Sequence, residues 1–364
     1  MVGYKLGLGG PYYHDASACL VAADGAVLAF IEEERLTRRK HNKDSRSCSR
    51  SAAYCLAEAG IELADVDEIA VAWNPLWPAP ADNVTDSNLI RELLDPDFFS
   101  SHTPTRLTII DHHLAHAAAA FYLSGFSESA VLVVDGSGDG VSTSIYHGTA
   151  DGLRVVRQFP FTQSLGWFYE SVAEHLGLGD WTSSGKLMGL AAYGQPIHDL
   201  PFVRSDGDDG YLIDLSRYGL SLGPVATANY ANLQYYHDLK RAYGAAFTDL
   251  GVPVQGCARG YDLRSGRIAG VGAFTQGQAD LAASAQRTLE QRVLALAQAA
   301  LRQTGSARPL PRRWRGPELL LEWRPAPGKW GGGDVCPTGR RRCGLRNRSG
   351  AGVRPSCRTP LRPR

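Results

Sequence analysis

Through residue 308 the chain alternates short apolar runs of strand length with either a tight turn or a helix-forming run, and at Pro309 that alternation stops. Tyr4 to Gly7, Ala18 to Ala22 and Val27 to Glu32 are separated by the turn signals Gly9-Gly10-Pro11 and Asp24-Gly25, which predicts an opening strand followed by a hairpin. Ser49 to Ala59 is rich in Ala and ends at Gly60, the pattern of a helix with a glycine C-cap. Glu68 to Trp73 and Arg106 to Ile110 read as buried strands, and His112 to Leu123 as a helix stopped by Gly125. Ser129 to Val134 reads as a strand, Asp135-Gly-Ser-Gly-Asp-Gly140 as a loop, and Val141 to Tyr146 as the strand resumed. From Gln278 to Gln303, Leu281, Ala285, Leu289, Val293, Leu296 and Ala300 share one helical face, with Gly305 beyond the end. Strands followed now by hairpins and now by helices imply a layered α/β fold with a mixed sheet.

The net charge of +1 hides a division at the same boundary. Residues 309–364 hold 13 Arg and one Lys against Glu318, Glu322 and Asp334, a net of +11, which leaves −10 for the rest. The same segment holds 9 of the 20 Pro and 3 of the 7 Trp, and it shows neither helical nor strand periodicity. Its readings are a basic disordered tail, an arm for nucleic acid, or residues translated out of frame. The whole composition, 44% hydrophobic with 21% charged, excludes a wholly disordered or collagen-like chain. No apolar run has the length of a membrane span, and Met1 to Gly10 has no cleavage-type pattern, so a cytoplasmic protein without membrane contact is expected. The seven Cys form no CxxC pair and are expected to be reduced thiols.

Several residues could carry chemistry. His112 and His116 stand four apart on an expected helix, so both imidazoles can face one divalent ion, and Asp135 at the end of an expected strand could complete the set. An HxxxH pair by itself is equally compatible with packing or solvent exposure. Gly136 and Gly138 could let backbone N–H groups approach a phosphate; the plainer reading of that segment is a glycine-rich hairpin turn. His14, followed by Asp15, stands where the first strand gives way, a place suited to a general base polarised by an acidic neighbour. Lys186, between Gly185 and Gly189, could neutralise a phosphate, although the surrounding residues are not a Walker A motif. The charged run Glu32 to His41 reads by default as a solvated face.

Six stretches, in order and roughly in spacing, resemble the antibiotic and nodulation O-carbamoyltransferases, most closely those that act on aminoglycosides and related secondary metabolites. They are His14-Asp-Ala-Ser-Ala18, Glu32 to His41, His112-His-Leu-Ala-His-Ala-Ala118, Val134-Asp-Gly136, Ser164-Leu-Gly166 and Gly185-Lys-Leu-Met-Gly-Leu-Ala-Ala-Tyr-Gly194. The N-terminal domain of that family is similar to the universal tRNA threonylcarbamoyladenosine protein. The resemblance therefore implies an actin-like ATPase-type α/β domain, with mixed sheets and flanking helices, over about residues 1–308. It implies a reaction in two steps. A second, YrdC-like domain, not expected within these 364 residues, joins carbamoyl phosphate and ATP into carbamoyl-adenylate, with Mg2+ as an accompanying ion. The N-terminal domain then moves the carbamoyl group to a hydroxyl of a small molecule. By motif, His112, His116 and Asp135 become ligands of Fe2+ or a similar divalent ion, and His14 becomes the base. Lys186 and its glycine neighbours Gly185 and Gly189, with Gly136 and Gly138, line the adenylate site. A homo-oligomer is compatible with the family, and no nucleic acid is expected.

The departure lies at Pro309. Family members continue there with a strand, a glycine loop of the type GGVALN, and a GDxG segment whose Asp is a further metal ligand. This chain has Leu310-Pro-Arg-Arg-Trp-Arg-Gly-Pro-Glu-Leu319, whose codons read one base later can encode CLAGGVALN; Pro337 to Gly344 can likewise become QPAAGDAG. Two motifs in one frame, in the right order, point to an out-of-frame tail over 309–364, to a chain inactive alone, and to a long helix at 278–303 left without its following strand. The rival readings are a hydrolase using the HxxxH pair with a metal, and a nucleotide-binding module whose basic tail touches nucleic acid.

Overall fold

A computed structural model describes residues 3–10, 14–42, 47–74, 86–99, 106–207, 210–220, 233–254, 261–262, 267–268, 274–306 and 309–311. The chain opens with an antiparallel meander, β1 (Tyr4–Gly9), β2 (Ser17–Val21) and β3 (Val27–Glu32). Helices α1 (Glu33–Thr37) and α2 (Ser49–Ala59) follow, then β4 (Val66–Val71) parallel to β1. Helix α3 (Asp86–Leu93) leads to β5 (Leu107–Ile109), parallel to β4, and completes a sheet of order β3-β2-β1-β4-β5. After α4 (His112–Phe121) a second meander forms from β6 (Ser129–Gly138), β7 (Val141–Thr149) and β8 (Gly152–Pro160). Helices α5 (Leu165–His175) and α6 (Ser184–Ala191) follow, with a hairpin of β9 (Val203–Asp206) and β10 (Gly210–Ile213). Then come α7 (Leu233–Asp249), the two-residue pair β11 (Tyr261–Asp262) and β12 (Arg267–Ile268), and the long α8 (Gln276–Thr304). Last, β13 (Pro309–Pro311) joins the second sheet parallel to β6, giving the order β13-β6-β7-β8. The two sheets share one plan, a meander whose first strand takes a parallel neighbour on its other side. This is a mixed α/β architecture with mixed sheets and flanking helices, as the alternation of strands and helices in the sequence predicts.

Local signals explain the elements. Gly60 ends α2 and Gly305 ends α8, both with left-handed φ, 67° and 69°. Thr275 starts α8 with a capping box to Gln278. Around the first sheet, Leu6, Leu8, Leu20 and Ile69 pack with Ala52, Cys55 and Leu56 of α2 and Ile90 and Leu93 of α3. Around the second, Leu132 and Ile145 meet Leu165, Phe168 and Val172 of α5, Tyr243 and Phe247 of α7, and the apolar face of α8. All six α8 residues expected on that face are buried, and each large one contributes about 1.5–3 kcal/mol.

Three expectations need correction. The segment at 135–140 is not a loop: β6 continues through Gly138 with a shifted register, and only Asp139 (φ 49°) and Gly140 (φ 80°) turn the chain. Two successive left-handed residues are what a tight hairpin between right-twisted strands requires. The run 32–41 is not simply a solvated face, since it contains α1 and Glu33 is 2% exposed. Nor does ordered structure stop at residue 308, because three residues beyond it pair with Ala130 to Leu132. The expected out-of-frame tail, apart from 309–311, lies outside the described residues, as do four of the seven Cys; Cys19, Cys48 and Cys55 are free thiols. Among the described residues no helix is long and apolar enough to cross a membrane.

Strands β1, β4 and β5 run parallel, with Leu8 level with Val71 and Val71 with Ile109. Their carboxyl ends open on one sheet edge, where α/β folds hold ligands. His14 follows the first of these ends and His112 the third.

Candidate active site

Helix α4 begins at the sheet edge because Asp111 caps it, its side chain accepting from the Leu114 N–H at 2.9 Å. One turn of helix then separates His112 from His116, and their Nε2 atoms stand 3.0 Å apart. From the neighbouring sheet Asp135 reaches the same point, its Oδ2 2.7 Å from His112 Nε2 and 3.7 Å from His116 Nε2. The other oxygen, Oδ1, accepts the Gly136 N–H at 2.6 Å. The structure thus brings together all three of the residues expected to hold a metal, with their ligand atoms within 4.8 Å of one another.

The backbone around this cluster is shaped to it. A Cβ added at Gly138 would sit 2.0 Å from Cδ2 of His112, so the ring occupies space that only glycine leaves. A Cβ at Gly166 would meet Gly136 Cα at 2.7 Å, which lets the start of α5 close on the strand. There Ser164 Oγ donates to the Gly136 carbonyl at 2.5 Å and accepts the Trp167 N–H at 2.9 Å. Of the two glycines expected to approach a phosphate, Gly136 gives its N–H to Asp135 and Gly138 leaves room for the His112 ring. Asp139, which the sequence reading did not single out, ties the elements together. Its carboxylate accepts the His112 N–H at 2.8 Å and the Asn74 N–H at 3.1 Å, linking the exit of β4 to the start of α4. Trp73 leans on the His112 ring, with centroids 4.5 Å apart. The only sequence signal for Asp139 was Asp-Gly ahead of a resumed strand, which marks a turn and says nothing of chemistry.

Electrostatics within the cluster favour its ion-paired form. Burial opposes the charged form of both partners, yet the contact wins. The Asp135 carboxyl is held well below the usual aspartate range by His112 and His116, and His112 is pushed up by Asp135, Asp139 and the Ala72 carbonyl. His113, on the other side of α4, is pushed down to about 3 by burial and bonds Ser144 Oγ at 2.9 Å, so it is a neutral core residue.

Two imidazole nitrogens and one carboxylate oxygen suit a divalent transition metal. In a tetrahedral shell with bonds of about 2.0–2.1 Å the ligand atoms stand roughly 3.4 Å apart. The observed separations of 2.7, 3.0 and 3.7 Å bracket that spacing, so the residues fit such an ion.

His14 lies past the end of β1 with its Nδ1 2.8 Å from Asp15 Oδ2, the acidic neighbour expected of a base. Lys186 stands on α6 and lines a cavity of about 570 Å³ with Leu178, Leu190, Tyr193, Phe274 and Thr275. Its Nζ donates to the Leu178 carbonyl at 2.9 Å and to Ser183 Oγ at 3.2 Å. Gly185 is the second residue of α6, and Gly189 faces open space.

The family model of the carbamoyltransferase N-terminus matches residues 4–78 and 97–310. The nodulation protein NolNO of Sinorhizobium fredii is 38% identical over 235 residues, which is 60% of this chain and 34% of that protein. The nodulation protein NolO of Bradyrhizobium diazoefficiens is 37% identical over 117 residues, 31% of this chain and 21% of that one. The chain thus spans about a third or less of the length of these curated relatives. Among solved structures, YeaZ from Pseudomonas aeruginosa aligns at 16% identity and a TM-score of 0.26, over 43% of this chain and 67% of that one, a likeness too slight to carry an argument. With the family model matched over most of its length, the chain belongs to the carbamoyltransferase N-terminal family.

Proposed function

We propose that this chain carries the transfer centre of an O-carbamoyltransferase, which moves a carbamoyl group from carbamoyl-adenylate to a hydroxyl of a small secondary metabolite, an aminoglycoside being the leading class. The observation that carries the reading is the convergence of His112, His116 and Asp135 at the sheet edge onto which His14 also opens, within a chain of this family. The adenylate itself comes from ATP and carbamoyl phosphate on the part of the protein that the relatives have beyond this match.

The mixed anhydride is already activated, so the chain's residues have two tasks. His14 Nε2 takes the proton of the acceptor hydroxyl as its oxygen attacks the carbamoyl carbon. The carbon–oxygen bond to phosphate breaks, and AMP leaves with the electron pair. His112, His116 and Asp135 hold Fe2+ or a similar divalent ion, which when bound supplies Lewis-acid stabilisation of the charge on the departing phosphate. For a cation to bind there His112 must give up its proton, so retention weakens in acid. Lys186, with Gly185 and Gly189 on α6, is assigned to the adenylate; its ammonium neutralises phosphate charge.

The direct test supplies radiolabelled carbamoyl-adenylate and a panel of hydroxylated metabolites to the protein with its downstream sequence in frame. Label should move to an acceptor in the wild type and not in His14→Asn, with metal content equal in both. Label released only as hydrolysis product would favour a metal-dependent hydrolase instead.

A further inference from the structure

The charged run that ends at His41 has no part in the reaction described above, yet its fold is constrained throughout. Glu33 opens α1 with its N–H on the Ala16 carbonyl at 2.7 Å, and its buried Oε1 accepts Ser51 N–H at 2.7 Å and Ser51 Oγ at 3.1 Å. Both ends of the run therefore fasten to the segment that follows β1. Beyond α1 the chain doubles back, and His41 returns to residue 15. The Asp15 N–H donates to the His41 carbonyl at 2.8 Å, and His41 Nδ1 lies 2.9 Å from Asp15 Oδ1. Glu34 Oε2 accepts the His41 N–H at 2.8 Å and fixes the turn from the other side.

Asp15 consequently bridges two imidazoles, His41 on Oδ1 and His14 on Oδ2 at 2.8 Å. The backbone is strained to allow it. Among the described residues five non-glycine residues have positive φ, and four of them, Asp15, Arg38, His41 and Asn42, lie here, between 43° and 63°. The fifth is Asp139, beside His112. Such conformations cost about 1–3 kcal/mol each and persist where surrounding contacts over-determine them, typically at functional sites.

We propose that Asp15 and His41 are positioning residues for His14, the run 33–42 being the clamp that delivers His41. The proposal rests on the reading of His14 as the base. An ionised carboxylate only accepts hydrogen bonds, so Asp15 Oδ2 requires the proton of neutral His14 on Nδ1 and leaves the Nε2 lone pair for the acceptor hydroxyl. When Nε2 takes the hydroxyl proton, Asp15 stabilises the imidazolium and does not itself become protonated. His41, held by Glu34 and by the Asp15 backbone, keeps the carboxylate turned toward His14. Burial works to raise the Asp15 carboxyl, and the two imidazoles outweigh it and draw it below its ordinary value, so Asp15 is anionic near neutral pH. Asp15, Glu34 and His41 also gather ligand-type atoms within 4.8 Å. Hydrogen bonds within the array already engage all three residues, Asp15 Oδ1 with His41 Nδ1 and Glu34 Oε2 with the His41 N–H.

The test pairs a spectroscopic readout on the 364-residue chain with transfer kinetics on the in-frame protein. Asparagine tolerates left-handed φ better than most residues, so Asp15→Asn and His41→Asn are the mildest substitutions and break the array at two separate points. Nitrogen NMR of histidine-labelled protein, with the His14 signals identified by their loss in His14→Asn, should show the neutral ring protonated on Nδ1 in the wild type and on Nε2 in Asp15→Asn. Transfer from carbamoyl-adenylate should fall about 10²–10⁴-fold in kcat for Asp15→Asn, with acceptor KM little changed. For His41→Asn the fall should be about tenfold, with the His14 tautomer kept, the change expected of a lost support one contact removed. An unchanged tautomer in Asp15→Asn, or wild-type kcat in both variants, overturns the proposal. The base reading fails separately, by full transfer in His14→Asn.

Discussion

A single methyl group tests the candidate site most sharply. Gly138→Ala places a Cβ 2.0 Å from the His112 ring, so the ring or the strand must move. The expected cost is about 1–3 kcal/mol of stability, together with loss of the imidazole geometry and hence of metal retention. A Gly138→Ala protein with wild-type metal content would show that His112 does not depend on that close approach. His116→Ala removes one of three ligands and should strongly lower the divalent metal that survives dialysis, read by elemental analysis; equal content in variant and wild type would remove these residues from the metal assignment. What was legible at this scale follows from spacing. His112 and His116 at i and i+4 on a helix and Asp135 on a strand could be read from the sequence because helix periodicity alone turns the two rings to one side. Asp139, Trp73 and His41 were illegible because they reach the site through a hairpin, a strand exit and a left-handed turn, none of which has a periodicity to read.

At the scale of elements, helix–helix packing makes its own prediction about pH. His175 on α5 donates from Nε2 to the Val252 carbonyl at 2.7 Å and packs on Phe247 of α7, with ring centroids 5.2 Å apart. Its Nδ1 is buried with no hydrogen-bond partner among the described residues. Burial lowers its pKa, more than the Val252 carbonyl raises it. The unfolded chain therefore takes up the proton first as pH falls through about 6.5, and stability drops below that pH, with no effect above it. His175→Gln can keep the bond to Val252 without titrating, so its urea midpoint should fall less than that of the wild type between pH 7.5 and pH 5.5. Equal falls would exclude His175 from the acid response. The element-level reading of α8 succeeded because a repeating apolar face over 29 residues leaves few alternatives. The reading of 135–140 as a loop went astray because glycine marks a close approach as readily as a turn, and in β6 it marks the approach of His112 and of α5.

For the whole molecule, the change in composition at Pro309 coincides with the end of the family match at residue 310 and with the three-residue strand β13. The second sheet repeats the plan of the first as far as that strand, where the first has a fifth strand beyond its parallel neighbour. We read the residues past this point as out of frame. Resequencing the gene should reveal, one base away, a longer open frame encoding the glycine loop, and the protein made from it should retain more divalent metal than the 364-residue chain. No extended frame, or no gain in metal, would leave the native tail standing. Mass spectrometry reads carbamoyl transfer to a hydroxyl without an intermediate assay. The frame-restored protein, given carbon-13-labelled carbamoyl phosphate, ATP, a divalent metal and a panel of aminoglycosides and other hydroxylated metabolites, should place one labelled carbamoyl group on an acceptor oxygen, with the yield lost in His14→Asn and on removal of the metal. Consumption of carbamoyl phosphate and ATP with no labelled acceptor would rule out carbamoyl transfer to these hydroxyls, and undiminished labelling by His14→Asn would rule out His14 as the base.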